Sequence, residues 1–272
     1  MKSPRVGIQL LPCFIDGTFL PKSHAALVSR IRVIYRAPSQ RLVSAFRFQL
    51  FSFFYSPMLT TRRILTPVLL IVLAACAITA SFELDAPVER AVLEWNGGHW
   101  SRLPGVALLS RYGDWPELML LGGAGFLIAR KLRNVRWQRI LLSAMIASTL
   151  AGMAVNASRL TTGRTRPRAA AEQGWYGPRH DGKWLIGAAD FNSFPSGHTA
   201  TAVGFAGVIL IAAPAWGVAA MVAAGSIALA RILLGAHHPS DVITASMLSL
   251  AIAWIVWEFL GRRGRVDFRD RG

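Results

Sequence analysis

Cysteine is scarce. Two cysteines in 272 residues, Cys13 and Cys76, give neither a disulfide framework nor a cysteine-based metal cluster. Charge is scarce too: 16% of residues are Asp, Glu, Lys or Arg while 53% are hydrophobic, which excludes a disordered or strongly solvated chain. Acidic residues are the rarer sign, 14 against 30 basic, for a net charge of +16. Such an excess fits nucleic acid, anionic lipid or topology-setting loops. The distribution disfavours nucleic acid, because the basic residues form no continuous helix face and no recognisable binding module. Eight of them lie between Lys2 and Arg47, and most others sit between apolar runs, as the loop charges of a membrane protein do.

Long uncharged sequence is what the chain has in quantity. A hydrocarbon core of about 30 Å needs roughly 20 apolar helical residues. Six such windows run approximately from Ile64 to Phe82, Trp115 to Ala129, Trp137 to Asn156, Thr199 to Ala213, Trp216 to Leu234 and Val242 to Leu260. The expected fold class is all-α, a polytopic membrane helix bundle of about six transmembrane helices. The second and fourth windows are short for a crossing, so they borrow flanking residues or line the protein interior. Small residues crowd windows three to five, among them Ala144, Ala147, Ala151, Gly152, Gly204, Gly207 and Ala224, which favours close helix packing.

The densest basic stretch is Arg130, Lys131, Arg133, Arg136 and Arg139, five basic residues in ten, and it reads as a cytoplasmic loop. Arg62 and Arg63 before the first window and Arg262, Arg263 and Arg265 after the last agree with it. Both termini are therefore expected in the cytoplasm of a bacterial-type inner membrane, with the loops after windows one, three and five on the outer face. Three divisions are expected: a basic N-terminal extension over 1–57, the membrane domain over 58–265, and a cytoplasmic tail over 266–272. The extension reads either as an amphipathic tail on anionic lipid, with Phe46, Phe48, Phe51, Phe53 and Phe54 beside Arg41 and Arg47, or as sequence ahead of a true start at Met58. The run Leu73-Ala74-Ala75-Cys76 looks like a lipoprotein processing signal. Apolar character continues through Ile78 to Phe82, however, which favours a small polarisable residue inside a helix.

Six helices with both ends inside bring three polar patches to the same outer face. The first is Arg159-Leu160-Thr161-Thr162-Gly163-Arg164-Thr165-Arg166-Pro167-Arg168, at the end of window three. The second, Phe194-Pro195-Ser196-Gly197-His198-Thr199, opens window four. The third runs from Arg231 through His237, His238, Pro239 and Ser240 to Asp241, between windows five and six. A helix start with Pro195, Ser196 and Gly197 offers unpaired backbone N–H groups to a phosphate. Gly197 allows close approach, and His198 adds a proton donor with a pKa near working pH. By itself that patch also reads as an ordinary helix cap with an interfacial histidine. Arg159, Arg166 and Arg231 supply planar forks for phosphate oxygens. Arg231 lies deep in apolar sequence and demands a partner. Arg164, Arg168 and Arg179 read instead as arginines snorkelling to the interface. The four-residue spacing of His237 and Asp241 suits a carboxylate that accepts Nδ1–H and leaves Nε2 as a nucleophile. The alternative is a helix cap by Ser240 or Asp241 beside a solvated His-His pair, and that reading is preferred for His238.

With these three patches in place the sequence resembles the type 2 phosphatidic acid phosphatase superfamily, membrane lipid phosphatases that share a fold and site with vanadium haloperoxidases. The resemblance lies in Arg159…Arg166-Pro167, Pro195-Ser196-Gly197-His198 and Arg231…His237…Asp241, all at the family's spacing, and covers residues 64 to 260. Arg159 stands where the family's lysine is usual, and Ala230 where a serine usually precedes the arginine. The resemblance implies that His237 attacks phosphorus to form a phosphohistidine, Asp241 holds its imidazole, and His198 protonates the departing lipid oxygen. Arg159, Arg166, Ser196, Gly197 and Arg231 would bind the phosphoryl oxygens. It implies no metal and no other cofactor.

The implied substrate is a membrane lipid phosphate presented from the bilayer beside an aromatic loop bearing Trp175, Tyr176, Trp184 and Phe191. Bacterial relatives act on undecaprenyl diphosphate, lipid A phosphates, phosphatidylglycerol phosphate or phosphatidic acid, and the motifs separate neither these nor monoester from diphosphate. Two other functions fit the anion pocket: a transporter or binding protein for lipid or phosphate compounds, and a vanadate-dependent haloperoxidase. The first needs the arginines but no oriented nucleophile facing an acid, and the second gives the membrane spans no purpose.

Overall fold

The computed structural model describes residues 61–100 and 104–261. The 1–57 extension and the 266–272 tail lie outside the described residues. Helix α1 is Thr61–Phe82, followed by α2 at Asp85–Trp95 and the short α3 at Pro104–Arg111. Helix α4 is Trp115–Lys131 and α5 is Val135–Thr162. A long loop then carries a two-residue hairpin, β1 Arg179–His180 against β2 Lys183–Trp184, and a 3-10 turn at Ala189–Phe191. Helices α6 (Gly197–Ala212), α7 (Pro214–Leu233) and α8 (Pro239–Val256) complete the bundle, and α8 runs on into a π turn at Trp257–Gly261.

Local chemistry sets the helix limits. Asp114 opens α4 by accepting from the Trp115 N–H at 3.1 Å, and Asn134 opens α5 by accepting from the Trp137 N–H at 3.2 Å. Helix α5 stops at Gly163, which takes the left-handed conformation (φ +55°) that glycine tolerates at a helix end. Proline begins both α7 and α8, where a missing N–H costs nothing.

Helix α6 is the hub. Every residue from Thr199 to Ile209 is buried, because α5, α7, α8 and α4 pack around it. An apolar surface on all sides suits such a position. Glycine permits the closest approaches. A Cβ at Gly204 would lie 3.1 Å from the Ala147 carbonyl oxygen and from Ala151 Cβ, and one at Gly207 would lie 3.0 Å from Ala253 Cβ. The core joins Ile140, Ala144 and Ala147 of α5 to Val203, Phe205 and Val208 of α6, Ile227 of α7 and Ala253 of α8. Outward faces are apolar: Val68 through Leu73 on α1 and Trp216, Val218, Val222 and Leu229 on α7 are all exposed.

All six windows are helical, but the count of six spans is not met among the described residues. Among the described residues three helices are long and apolar enough to cross a membrane: α5, α7, and α8 with its π turn. The pair α1–α2, bent by 50°, makes a fourth if it counts as one span. Helix α4 has 17 residues and α6 has 16. Apolar content cannot separate a helix facing lipid from one wrapped by protein, and α6 is the second kind. Cys76 lies within α1, which continues to Phe82.

Candidate active site

The C-termini of α5 and α7 and the N-termini of α6 and α8 meet at one end of the bundle, so the three patches converge. Arg159, in the last turn of α5, crosses to the start of α6 and donates from Nε to the Pro195 carbonyl at 2.9 Å. Its guanidinium lies over Gly197, where an added Cβ would sit 3.1 Å from both Nη atoms. Glycine is thus the residue that lets a cation rest on this helix start. Ser196, fully buried, accepts from the Thr199 hydroxyl at 2.9 Å, and its backbone N–H donates to the Asp241 carbonyl at 3.2 Å. The Phe194–Pro195 peptide before it is cis.

His237 is 1% exposed. Its Nδ1 lies 2.7 Å from the Ser193 carbonyl oxygen, whereas Asp241 Oδ2 is 3.7 Å away, beyond hydrogen-bond length. The carboxylate therefore does not orient the ring directly, as the four-residue spacing suggested. A backbone carbonyl from the loop does, and Asp241 holds that loop by accepting from the Ser193 hydroxyl. An Nδ1–H committed to a carbonyl leaves Nε2 as the lone-pair nitrogen. That Nε2 is buried and has no hydrogen-bond partner among the described residues. Burial pushes the His237 pKa down to about 3, against the raising pull of Asp241 and with the help of Arg231 and Arg159.

Arg231 and Arg159 lie within electrostatic reach of this imidazole. Arg231 donates from Nη1 to the Ser110 hydroxyl of α3 at 2.8 Å. Arg166 is anchored through its backbone N–H to the Asp190 carbonyl at 2.8 Å. The Nε atoms of Arg166 and Arg231 are buried with no hydrogen-bond partner among the described residues. Desolvation, and then Arg168, lower the Arg166 pKa, while Asp190 and Asp241 oppose them. His198, on the first turn of α6, lies within electrostatic reach of Arg231, Asp114, Arg159 and Arg166. Its Nε2 is 3.8 Å from Asp114 Oδ2. At Gly235 (φ +60°) the Trp100 ring packs against the turn that leads into His237. Among the described residues no group of three His, Cys, Asp or Glu side chains is arranged to hold a metal ion.

Two residues read as solvated are not. Arg164, expected to snorkel, is only 7% exposed. It donates from Nη1 to Asp241 and to the Ser240 hydroxyl, and from Nη2 to Asp85 at 2.6 Å. Its guanidinium lies over the rings of Phe82, Trp175 and Phe194, at 4.8 Å from the Trp175 centroid. His238, expected in a solvated pair, is 5% exposed and caps α8. Its N–H donates to Asp241 Oδ2 at 2.8 Å, and its Nε2 lies 3.2 Å from the Thr165 carbonyl. Desolvation, then Arg164, lower its pKa. Arg168 and Arg179 are exposed.

Sequence reasoning missed Ser193 and Asp85 altogether. A serine in a loop carries no motif signal, and Asp85 lies far from the three patches in sequence. The one available clue was Asp85 itself, an acid in a chain poor in acids, placed just after an apolar window.

Residues 138–265 match the model of the PAP2 superfamily. A lipid A 1-phosphatase of Rhizobium etli is 29% identical over 151 residues, 50% of this chain and 62% of its own length. That of Rhizobium johnstonii is 28% identical over 151 residues, 50% of this chain and 59% of its own length. The Porphyromonas gingivalis lipid A 1-phosphatase is 26% identical over 176 residues, 63% of this chain and 34% of its own length. The chain thus spans less than two thirds of the length of these curated relatives. Among solved structures, the transmembrane PAP2 type phosphatidylglycerolphosphate phosphatase of Bacillus subtilis superposes with a TM-score of 0.44 at 19% identity, covering 71% of this chain and 94% of that one. Aquifex aeolicus LpxE gives a TM-score of 0.43 at 20% identity, covering 64% of this chain and 95% of that one.

Proposed function

Since residues 138–265 match the model of the PAP2 superfamily, we propose that this chain is an integral-membrane lipid phosphatase working through a phosphohistidine at His237. One observation carries the reading: a buried, unpartnered Nε2 whose other ring nitrogen is fixed on a carbonyl, within the field of Arg159 and Arg231. An imidazole held in that tautomer is a nucleophile. The orphaned Nε atoms of Arg166 and Arg231 are donors suited to an oxyanion.

In the first step the Nε2 lone pair attacks phosphorus. The bond from phosphorus to the lipid oxygen breaks, and His198 donates its proton to the departing oxygen. Arg159, Arg166 and Arg231, with the Ser196 hydroxyl and the Gly197 N–H, hold the equatorial oxygens as charge spreads over them. In the second step His198 takes a proton from water as the water oxygen attacks phosphorus, the Nε2–P bond breaks with its electron pair returning to Nε2, and inorganic phosphate leaves. Asp241 keeps the Ser193 carbonyl, and so the ring, in place.

The substrate is a membrane lipid phosphate, monoester or diphosphate. A lipid A 1-phosphate is the first candidate, a choice supported by the names of the curated relatives; undecaprenyl diphosphate, phosphatidylglycerol phosphate and phosphatidic acid follow. The chain sits in a bacterial-type inner membrane with both termini cytoplasmic and the site at the outer surface. Detergent-purified protein assayed against those four lipids without added Mg²⁺ tests the activity. Phosphate release is expected on at least one lipid and none from His237→Ala that still melts cooperatively as a folded protein. Full turnover by that variant would reject the assigned nucleophile.

A further inference from the structure

Asp85 stands outside the family-matched residues 138–265, yet its carboxylate reaches into the support of the site. The break between α1 and α2, bent by 50°, puts Asp85 in the first turn of α2 against the start of α8. Its Oδ1 accepts from the Ser240 N–H at 2.9 Å. Its Oδ2 accepts from the Ser240 hydroxyl at 2.7 Å and from Arg164 Nη2 at 2.6 Å. Two helix N-termini, each with a partial positive charge, and one guanidinium thus share this single carboxylate. Arg164 spends its other Nη on Asp241. The contacts continue from Asp241 to the Ser193 hydroxyl, and from the Ser193 carbonyl to His237 Nδ1.

Burial gives the chain of contacts its direction. Arg164 is buried between two carboxylates, Asp85 and the fully buried Asp241. Removing the charge of one leaves the guanidinium to settle wholly on the other, or leaves donors of Arg164 and Ser240 without acceptors. Either change moves Asp241 relative to Ser193. A shift there alters the Ser193 carbonyl, the one group that fixes the His237 tautomer.

We propose that Asp85 is a positioning residue for lipid-phosphate hydrolysis, acting through Arg164, Asp241 and Ser193 to hold the His237 imidazole in its attacking orientation. This deepens the phosphatase reading and rests on it. Asp85 touches no phosphate-binding group, so its loss falls on the chemical step and not on substrate affinity.

The test uses the full chain in detergent micelles, with Asp85→Asn, Asp85→Glu and Glu94→Gln, an exposed change on the same helix. Steady-state kinetics are run on whichever of lipid A, undecaprenyl diphosphate, phosphatidylglycerol phosphate and phosphatidic acid the wild type hydrolyses fastest. Asp85→Asn is expected to lower kcat by about 10- to 100-fold, the size usual for removing a group that supports a functional histidine, with KM within about twofold. Asp85→Glu is expected to recover much of that loss, and Glu94→Gln to behave as wild type. Near-wild-type kcat in Asp85→Asn overturns the proposal. So does a KM rise that accounts for the loss, or a melting-temperature drop matched by equal failure of Asp85→Glu, since both mark a merely structural role. A wild type inactive on all four lipids instead rejects the phosphatase reading, and the positioning role falls with it.

Discussion

The role proposed for His237 rests on which nitrogen holds the proton, and burial decides how that ring responds to pH. Its pKa is depressed to about 3 in the folded chain, from about 6.5 when exposed. Between those values the unfolded chain binds the extra proton, so stability is lost as pH falls from about 6.5 toward 3 and is fully present above. The wild type should therefore melt progressively closer to His237→Asn as pH drops from 7 to 4, with His238 contributing equally to both. A constant gap between their melting temperatures across that range would contradict the buried neutral ring. The residues that converge at one end of the bundle were legible because each patch pairs unusual residue types at fixed spacing. Arg164 was not, since an arginine in a polar loop reads the same whether it faces water or is folded under three rings. The direct Asp241 contact to His237 was misplaced for a related reason: four-residue spacing brings two side chains close without saying which atoms meet, and a backbone carbonyl, invisible in sequence, took the bond.

Helix α6 shows how an element is specified by what it lacks. Gly204 and Gly207 let α5 and α8 approach until a single methyl group would touch. Gly204→Leu is expected to destabilise the detergent-solubilised protein by about 1–3 kcal/mol, the usual range for overpacking. Gly225→Leu on α7, where nothing lies within 4 Å, should leave the melting temperature near that of wild type, and equal losses at both sites would refute the packing account. The six helices were legible from their apolar runs and small-residue content. The lipid-crossing subset was not, because burial by neighbours depends on tertiary packing. Helices α2 and α3 were missed for want of length: 11 and 8 residues, mixed in polarity, carry too little periodic signal.

At the scale of the molecule, alternate helix ends bring Arg159, His198, Arg231 and His237 to one end of the bundle, while the basic turn around Arg133 joins α4 to α5 at the other. The proposed orientation has a direct check. In a chain freed of Cys13 and Cys76, a cysteine at His180 in the hairpin should react with a membrane-impermeant maleimide in intact cells. One at Arg133 should react only after permeabilisation, and the reverse pattern would invert the topology.

The seat of Arg164 beneath Phe82, Trp175 and Phe194 bears on how the membrane domain is knit together. Three rings from the end of α1, the long loop and the approach to α6 cover a cation already gripped by two carboxylates. Dissolved counterions screen charges they can approach. This junction is largely buried, so salt weakens the tie between the first helices and the candidate site far less than it weakens pairs in open water.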